Sequence, residues 1–177
     1  ECESRSGAKH VRNVAPRTIA EGTRAALAGA GLPHTFWTWA MQHFTFAHNT
    51  EVNNGHSPYS HRHGDKHVFK GRRVPFGAAM EFLPTPDVRQ MMPKWGSKLL
   101  PGIMLGYHTN PGYIWSGDYY VTGIDDLVPV NFRTGEGADG IRVFRVKEIA
   151  NVRPFHFPCA EHYSNVNHTL EGRMADR

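Results

Sequence analysis

Along residues 17–31, RTIAEGTRAALAGAG, the positions Ile19, Thr23, Ala26, Leu27 and Ala30 recur every three or four residues. That spacing, in an alanine-rich stretch, predicts a helix that stops at Gly31 ahead of Leu32-Pro33. Residues 1–16 carry no firm period and end in Pro16, which predicts a loop-like lead-in. A second helix is expected from Thr35, a candidate N-cap, to His48. In it Phe36, Ala40, Phe44 and Ala47 make one stripe, Trp37 and Met41 widen it, and Trp39 and Phe46 lie on its flanks. So much apolar surface implies burial on several sides, more than the first helix can cover. These aromatics read as core residues.

Residues 49–66 are turn chemistry throughout, with Asn-Asn-Gly, Ser-Pro and His-Gly-Asp in succession, and a domain boundary is expected there. From Val74 the period changes to two. Val74, Phe76, Ala78, Met80 and Phe82 alternate with smaller or polar residues, as in a half-buried strand. A long loop follows, and then a strand over 102–108 with Ile103, Leu105 and Tyr107 on one face. The TNPG that follows is a strong turn. Residues 112–124 read as two short strands about Ser116-Gly117-Asp118, a tight hairpin. Residues 129–140 are a loop, and 141–152 a last strand. Five short strands separated by glycine turns fit a small barrel or curled antiparallel sheet. The fold class expected is therefore α+β, helices first and an antiparallel sheet after. Its divisions are 1–50 helical, 51–73 a basic linker, 74–150 the barrel and 151–177 a polar tail.

A length of 177 residues suits one domain or one small domain with appendages. No run approaches the roughly 20 apolar residues that span a bilayer, and no signal-peptide pattern opens the chain. Cys2 and Cys159, near opposite ends, form neither a zinc pattern nor a disulfide framework, so a reducing, intracellular compartment is expected. The formal charge of +4 is unevenly placed: through Pro75 there are ten Lys/Arg against five Asp/Glu, and beyond it ten against eleven. The excess peaks in HRHGDKHVFKGRR (61–73), with five basic residues, three histidines and one acid. Such a stretch attracts a phosphate backbone through counterion release, although a solvated linker has the same composition. Its candidate contacts are Arg62, Lys66, Lys70, Arg72 and Arg73, which supply charge without sequence readout. Phe69 is the one aromatic among them.

Other constellations are weaker. Asp118, Asp125 and Asp126 suggest a metal cluster, but turns favour Asp for backbone reasons. His61 and His63, with His67 nearby, lack a Cys or carboxylate at ligand spacing, so no metal is expected. Nucleophile-elbow, phosphate-loop and dinucleotide patterns are absent from the sequence.

Several motifs in fixed order carry a resemblance. Arg17-Thr18, Leu32-Pro33 with Phe36-Trp37, Ser57-Pro58-Tyr59, Phe76-Gly77 and Leu105-Gly106-Tyr107 resemble, over roughly residues 17–125, the integrase region of copia-type retrotransposon polyproteins. The resemblance implies that the helices are the closing edge of an RNase H-like catalytic core. It further implies that a small SH3-like barrel follows, and that the aromatic helix rests on a core sheet encoded upstream. Such integrases use two Asp and one Glu to hold a pair of divalent metals, with Mg²⁺ as cofactor of the full-length enzyme. Both Asp positions would precede Glu1. The Glu position falls on Lys9 or His10 in one register and on Asn13 in the other, while Glu21 lies beyond Arg17-Thr18.

No catalytic residue is therefore expected, and no cofactor for this chain alone. The resemblance implies a non-catalytic polyprotein fragment that binds DNA or organises the integrase during integration, in the nucleus or a virus-like particle. Self-association or contact with other polyprotein domains is the further partner expectation. The alternatives are a protein-interaction module with little nucleic-acid contact, or a decayed element with no present function.

Overall fold

The computed structural model describes residues 3–64, 68–150 and 154–162, with side chains from Pro16 onward within these spans. Helix α1 runs Glu3–Ala30 and contains Pro16, so the expected lead-in is helical instead. A proline inside a helix withholds one N–H, here the one facing the Arg12 carbonyl, and the helix continues on both sides of that gap. The stop at Gly31 is as expected. Gly31 has φ +65, its N–H donates to the Ala28 carbonyl at 3.2 Å, and Leu32 N–H donates to the Leu27 carbonyl at 3.2 Å. This pair of bonds is a Schellman closure, completed by Leu27 and Leu32 meeting in one apolar cluster.

A 3-10 turn over His34–Phe36 leads into α2, Trp37–Thr50. Phe36 occupies the cap position, so Thr35 does not cap α2, and its Oγ1 is buried without a partner among the described residues. The inward stripe of α2 is Ala40, His43, Phe46 and Thr50. Phe46, expected on a flank, is among its deepest residues at 2% exposed. Phe44 lies on another side, against Gly22 of α1, where a Cβ would collide with its ring. Trp37 remains 53% exposed.

Inside the expected turn region, Ser57 caps a short helix α3, Pro58–His63. Ser57 Oγ accepts from Ser60 N–H at 3.0 Å while Ser60 Oγ accepts from Ser57 N–H at 3.0 Å, and Pro58 opens the first turn. Tyr59 is buried and its Oη accepts from the Trp115 N–H at 2.9 Å. The Ser-Pro-Tyr motif is thus a capping device with an anchor.

The strands are β1 Ala79–Phe82, β2 Leu100–Asn110, β3 Ile114–Gly123, β4 Val143–Val146 and β5 Ile149–Ala150. They form one antiparallel sheet in the order β4-β3-β2-β1-β5. Helix α4, Pro86–Met91, interrupts the expected loop between β1 and β2. Three divisions differ from expectation. The alternating run from Val74 is strand only over Ala79–Phe82, because Gly77 at φ +74 turns the chain ahead of it. Residues 112–124 give one strand, because Ser116-Gly117-Asp118 bulges from the β2–β3 ladder between the pairs Tyr107↔Tyr119 and Thr109↔Trp115. Gly117 has φ +95, so its glycine marks a bulge and not a turn. Conversely, the expected last strand is two strands, β4 and β5, lying on opposite edges of the sheet.

Only Lys147 and Glu148 separate these edges in the chain. Three virtual bonds reach about 11 Å, whereas the outer strands of a flat five-stranded sheet stand roughly 19 Å apart. The sheet must therefore curl. It does not close: no ladder joins β4 to β5 among the described residues, and β5 is only two residues long. The expected α+β class holds, with a curled open sheet in place of a closed barrel.

A second bulge divides the core. Between the pairs Met104↔Val121 and Gly106↔Tyr120, β2 carries the extra residue Leu105. Ile103 and Leu105 consequently join Ala30, Leu32, Phe36, Ala40 and Phe76 in a cluster between the helices and one sheet face. Met104 and Tyr107 join Phe46, Met80, Phe82, Val121 and Phe144 in the other cluster. Ile103, Leu105 and Tyr107 do not share a face, because the bulge reverses the alternation. Both clusters mix helical and strand residues, so α2 rests on this chain's own β2, and the sheet expected upstream is not what covers that side.

His43 sits at this junction. Its Nε2 lies 2.9 Å from the Val74 carbonyl, and its ring packs on Phe76 and Tyr107. Burial pushes its pKa down to about 4 against the hydrogen bond to Val74, which raises it. The unfolded chain, with an ordinary histidine near 6.5, binds the proton first, so stability falls as pH drops from about 6.5 to 4. The shift corresponds to about 3 kcal/mol, lost over that window and fully present above it. Chemical denaturation of the wild type and His43→Gln at several pH values should show a flatter profile for the variant across this range.

Candidate nucleic-acid interface

Residues 68–74 form a strap held across one end of the sheet. Arg72 N–H donates to Tyr119 Oη at 2.7 Å, and Val74 N–H donates to Tyr107 Oη at 3.1 Å. Tyr107 Oη is in turn 3.4 Å from the carbonyls of Arg72 and Val74. Burial pushes the Tyr107 phenol up to about 12 and raises that of Tyr119, so both stay neutral. Phe69 anchors the strap edge-to-face on Phe46, Tyr107 and Trp115, at centroid distances of 5.3, 5.5 and 4.8 Å. Gly71 lies so close to Phe69 and Trp115 that a Cβ there would collide with both rings.

This geometry sorts the five expected cations. Arg73 is exposed as well but is tied to the fold: its Nη2 donates to the Thr50 carbonyl at 2.6 Å, at the C-terminal end of α2 where the helix dipole favours positive charge. Lys70 and Arg72 are exposed on the strap and Arg62 is exposed on α3. Lys66 lies outside the described residues. Strap and α3 meet on the same residue, Trp115: Phe69 packs on its ring and Tyr59 Oη holds its N–H. Arg62, Lys70 and Arg72 therefore stand on elements fastened to one end of the β2–β3 hairpin. The segment expected as a linker is, over 68–74, a docked part of the fold.

The rejected clusters are equally concrete. Asp118 lies in the β3 bulge, where Arg145 Nε and Nη2 both donate to its Oδ2 at 2.5 Å. Asp125 and Asp126 stand apart from it in the 3-10 turn after β3. His61 and His63 lie on α3, and His67 lies outside the described residues. Among the described residues no three His, Cys, Asp or Glu converge as metal ligands.

Sequence reasoning missed one cluster: Ser116 Oγ is 2.6 Å from His108 Nδ1 and 3.5 Å from Asp118 Oδ2. Serine stands between the other two, whereas activating a nucleophile needs histidine between serine and acid. Ser116 Oγ also donates to the His108 carbonyl at 3.0 Å, so the group pins the bulge. Its only sequence signal is the His-x₇-Ser-x-Asp spacing, legible only once the β2–β3 pairing is known. Burial raises the Cys159 thiol to about 11, which keeps it protonated and unreactive at neutral pH.

No family model, curated protein or solved structure matches this chain. No helix among the described residues is long and apolar enough to cross a membrane.

Proposed function

We propose that this chain is a non-catalytic portion of a copia-type retrotransposon integrase region that binds DNA. Its curled sheet acts as an SH3-like platform in which the strap and α3 hold phosphate-binding cations. The observation that carries this reading is the docking of the basic strap onto Tyr107, Tyr119 and Trp115. A flexible linker loses conformational entropy when it meets DNA, whereas cations on a fixed strap have already lost part of it in folding. The strand order supports the platform: four strands in a meander, with the fifth returning to β1. Among the quoted motif residues, Ser57 is a cap, Tyr59 an anchor, Leu105 a bulge and Leu32 part of a helix stop, which supports the reading. In the polyprotein the module would act in the nucleus or a virus-like particle, beside domains that supply the metal-binding carboxylates.

The test is a salt titration of binding to duplex DNA. Arg62, Lys66, Lys70 and Arg72 are changed to Gln together, while Arg73 is kept because it closes α2. Each cation that meets a phosphate contributes about 0.9 to the slope of log affinity against log salt, so the slope should fall by up to about 3.6. Unchanged affinity and slope would remove the DNA reading.

A further inference from the structure

The loop between β1 and β2 lies at the opposite end of the hairpin from the strap. Strand β2 starts beside it at Leu100 and reaches the strap only at Tyr107. At its tip Trp95 is 92% exposed and Met91, at the end of α4, is 88% exposed. Trp95 is the most exposed large aromatic among the described residues, and what surrounds it says what it could meet.

This exposure is built. Gly96 N–H donates to the Pro93 carbonyl at 3.2 Å, closing a turn with Lys94 and Trp95 at its centre. Lys98 Nζ braces the turn from below, donating to the Pro93 carbonyl at 2.8 Å and to the Met92 carbonyl at 3.3 Å. Ser97 Oγ accepts from Leu99 N–H at 3.2 Å where the loop re-enters β2. Lys94 Nζ lies 5.4 Å from the centroid of the Trp95 ring, a cation beside an open aromatic face. Over 84–99 the charged residues are Arg89, Lys94 and Lys98 against Asp87. The surface therefore favours a partner that is anionic and has a flat aromatic face.

We propose that this braced turn is a stacking site for an unpaired base of a single-stranded nucleic acid, with Trp95 as the platform and Lys94 meeting an adjoining phosphate. A base supplies the flat face, its backbone supplies the charge, and stacking on an aromatic is tolerant of sequence. Duplex DNA hides its base faces, so the site selects frayed ends, gaps or single strands. The assignment rests on the nucleic-acid reading above but concerns a different part of the surface and a different strand state.

The experiment measures binding of the full chain to oligothymidylate and to a duplex of equal length, by anisotropy of a labelled oligonucleotide. The proteins are the wild type, Trp95→Ala, Trp95→Phe and the four-cation strap variant. Trp95→Ala should weaken oligothymidylate binding about tenfold, with duplex binding and the circular dichroism spectrum unchanged, since the side chain supports nothing in the fold. Trp95→Phe should restore most of the loss. In the wild type, bound oligothymidylate should shield Trp95 from acrylamide quenching. Equal binding of wild type and Trp95→Ala to oligothymidylate would overturn this inference while leaving the strap reading intact, and would turn the loop toward a protein partner or second copy. Loss on the strap variant alone would do the same. Absence of binding by the wild type to either probe would overturn the function reading and this site with it.

Discussion

Replacing Phe46 with alanine should destabilise the protein by about 3–5 kcal/mol, a large part of the stability of a single domain. Phe46 is the point where helix, strap and sheet meet. Its ring stacks on Tyr107 at 4.7 Å and meets Tyr59 at 5.8 Å and Phe69 at 5.3 Å. Removing it leaves a cavity bounded by three different elements, which cannot all relax inward together. Denaturant unfolding checks the size of the loss, and its shape is a second readout. Far-ultraviolet circular dichroism, which follows α1 and α2, and near-ultraviolet signals from the sheet aromatics should give one coincident transition. Separate transitions, or a cost below about 1 kcal/mol, would mean that helices and sheet are independent units.

Gly77→Ala is the second large effect expected, at about 2–5 kcal/mol. Gly77 has φ +74, and a Cβ placed on it would overlap the methyl of Ala30 at the end of α1. Its N–H donates to the Met104 carbonyl at 2.8 Å, so the backbone cannot step aside without breaking a bond to β2. The left-handed conformation costs an ordinary residue roughly 1–2 kcal/mol and overpacking costs about 1–3 more. Gly112→Ala separates the two contributions. Gly112 has φ +85 but nothing within 4 Å of its added Cβ, so only the backbone cost should appear. Equal melting curves for the two variants would show that Ala30 does not press on Gly77.

The presence of helix and strand was legible in the sequence, but the buried face of α2 was not, since Phe46 and His43 face inward where Phe44 and Ala47 were expected. Gly31 announced its own stop, whereas the alternation from Val74 to Phe82 marked β1 only in its last part, Ala79–Phe82. What could not be read was anything decided by long-range pairing. Leu105 and Tyr107 look like one face until β3 is laid beside them, when the extra residue against Val121 and Tyr120 puts them in different cores. Ser116-Gly117-Asp118 has the composition of a turn, and only the register against His108 makes it a bulge. The basic stretch was visible as charge, but its division was not. Arg73 is tied to the Thr50 carbonyl, and nothing in a run of two arginines says which one will be. A lone tryptophan in a loop, such as Trp95, shows its exposure only when the surrounding turn is built.

The pairing of β5 with β1, and of the Ala79 N–H with the His156 carbonyl at 2.8 Å, has a consequence for how the chain is made. Translation proceeds from the amino end, so Phe46 leaves the ribosome 61 residues ahead of Tyr107 (107 minus 46). At about 5–20 residues per second that interval is roughly 3–12 s, during which Phe46 can meet Tyr59 and Phe69 but not its stacking partner on the sheet. Until β2 is made, the side of Phe46 that stacks on Tyr107 stays open, so the first half made alone should aggregate more readily than the full chain.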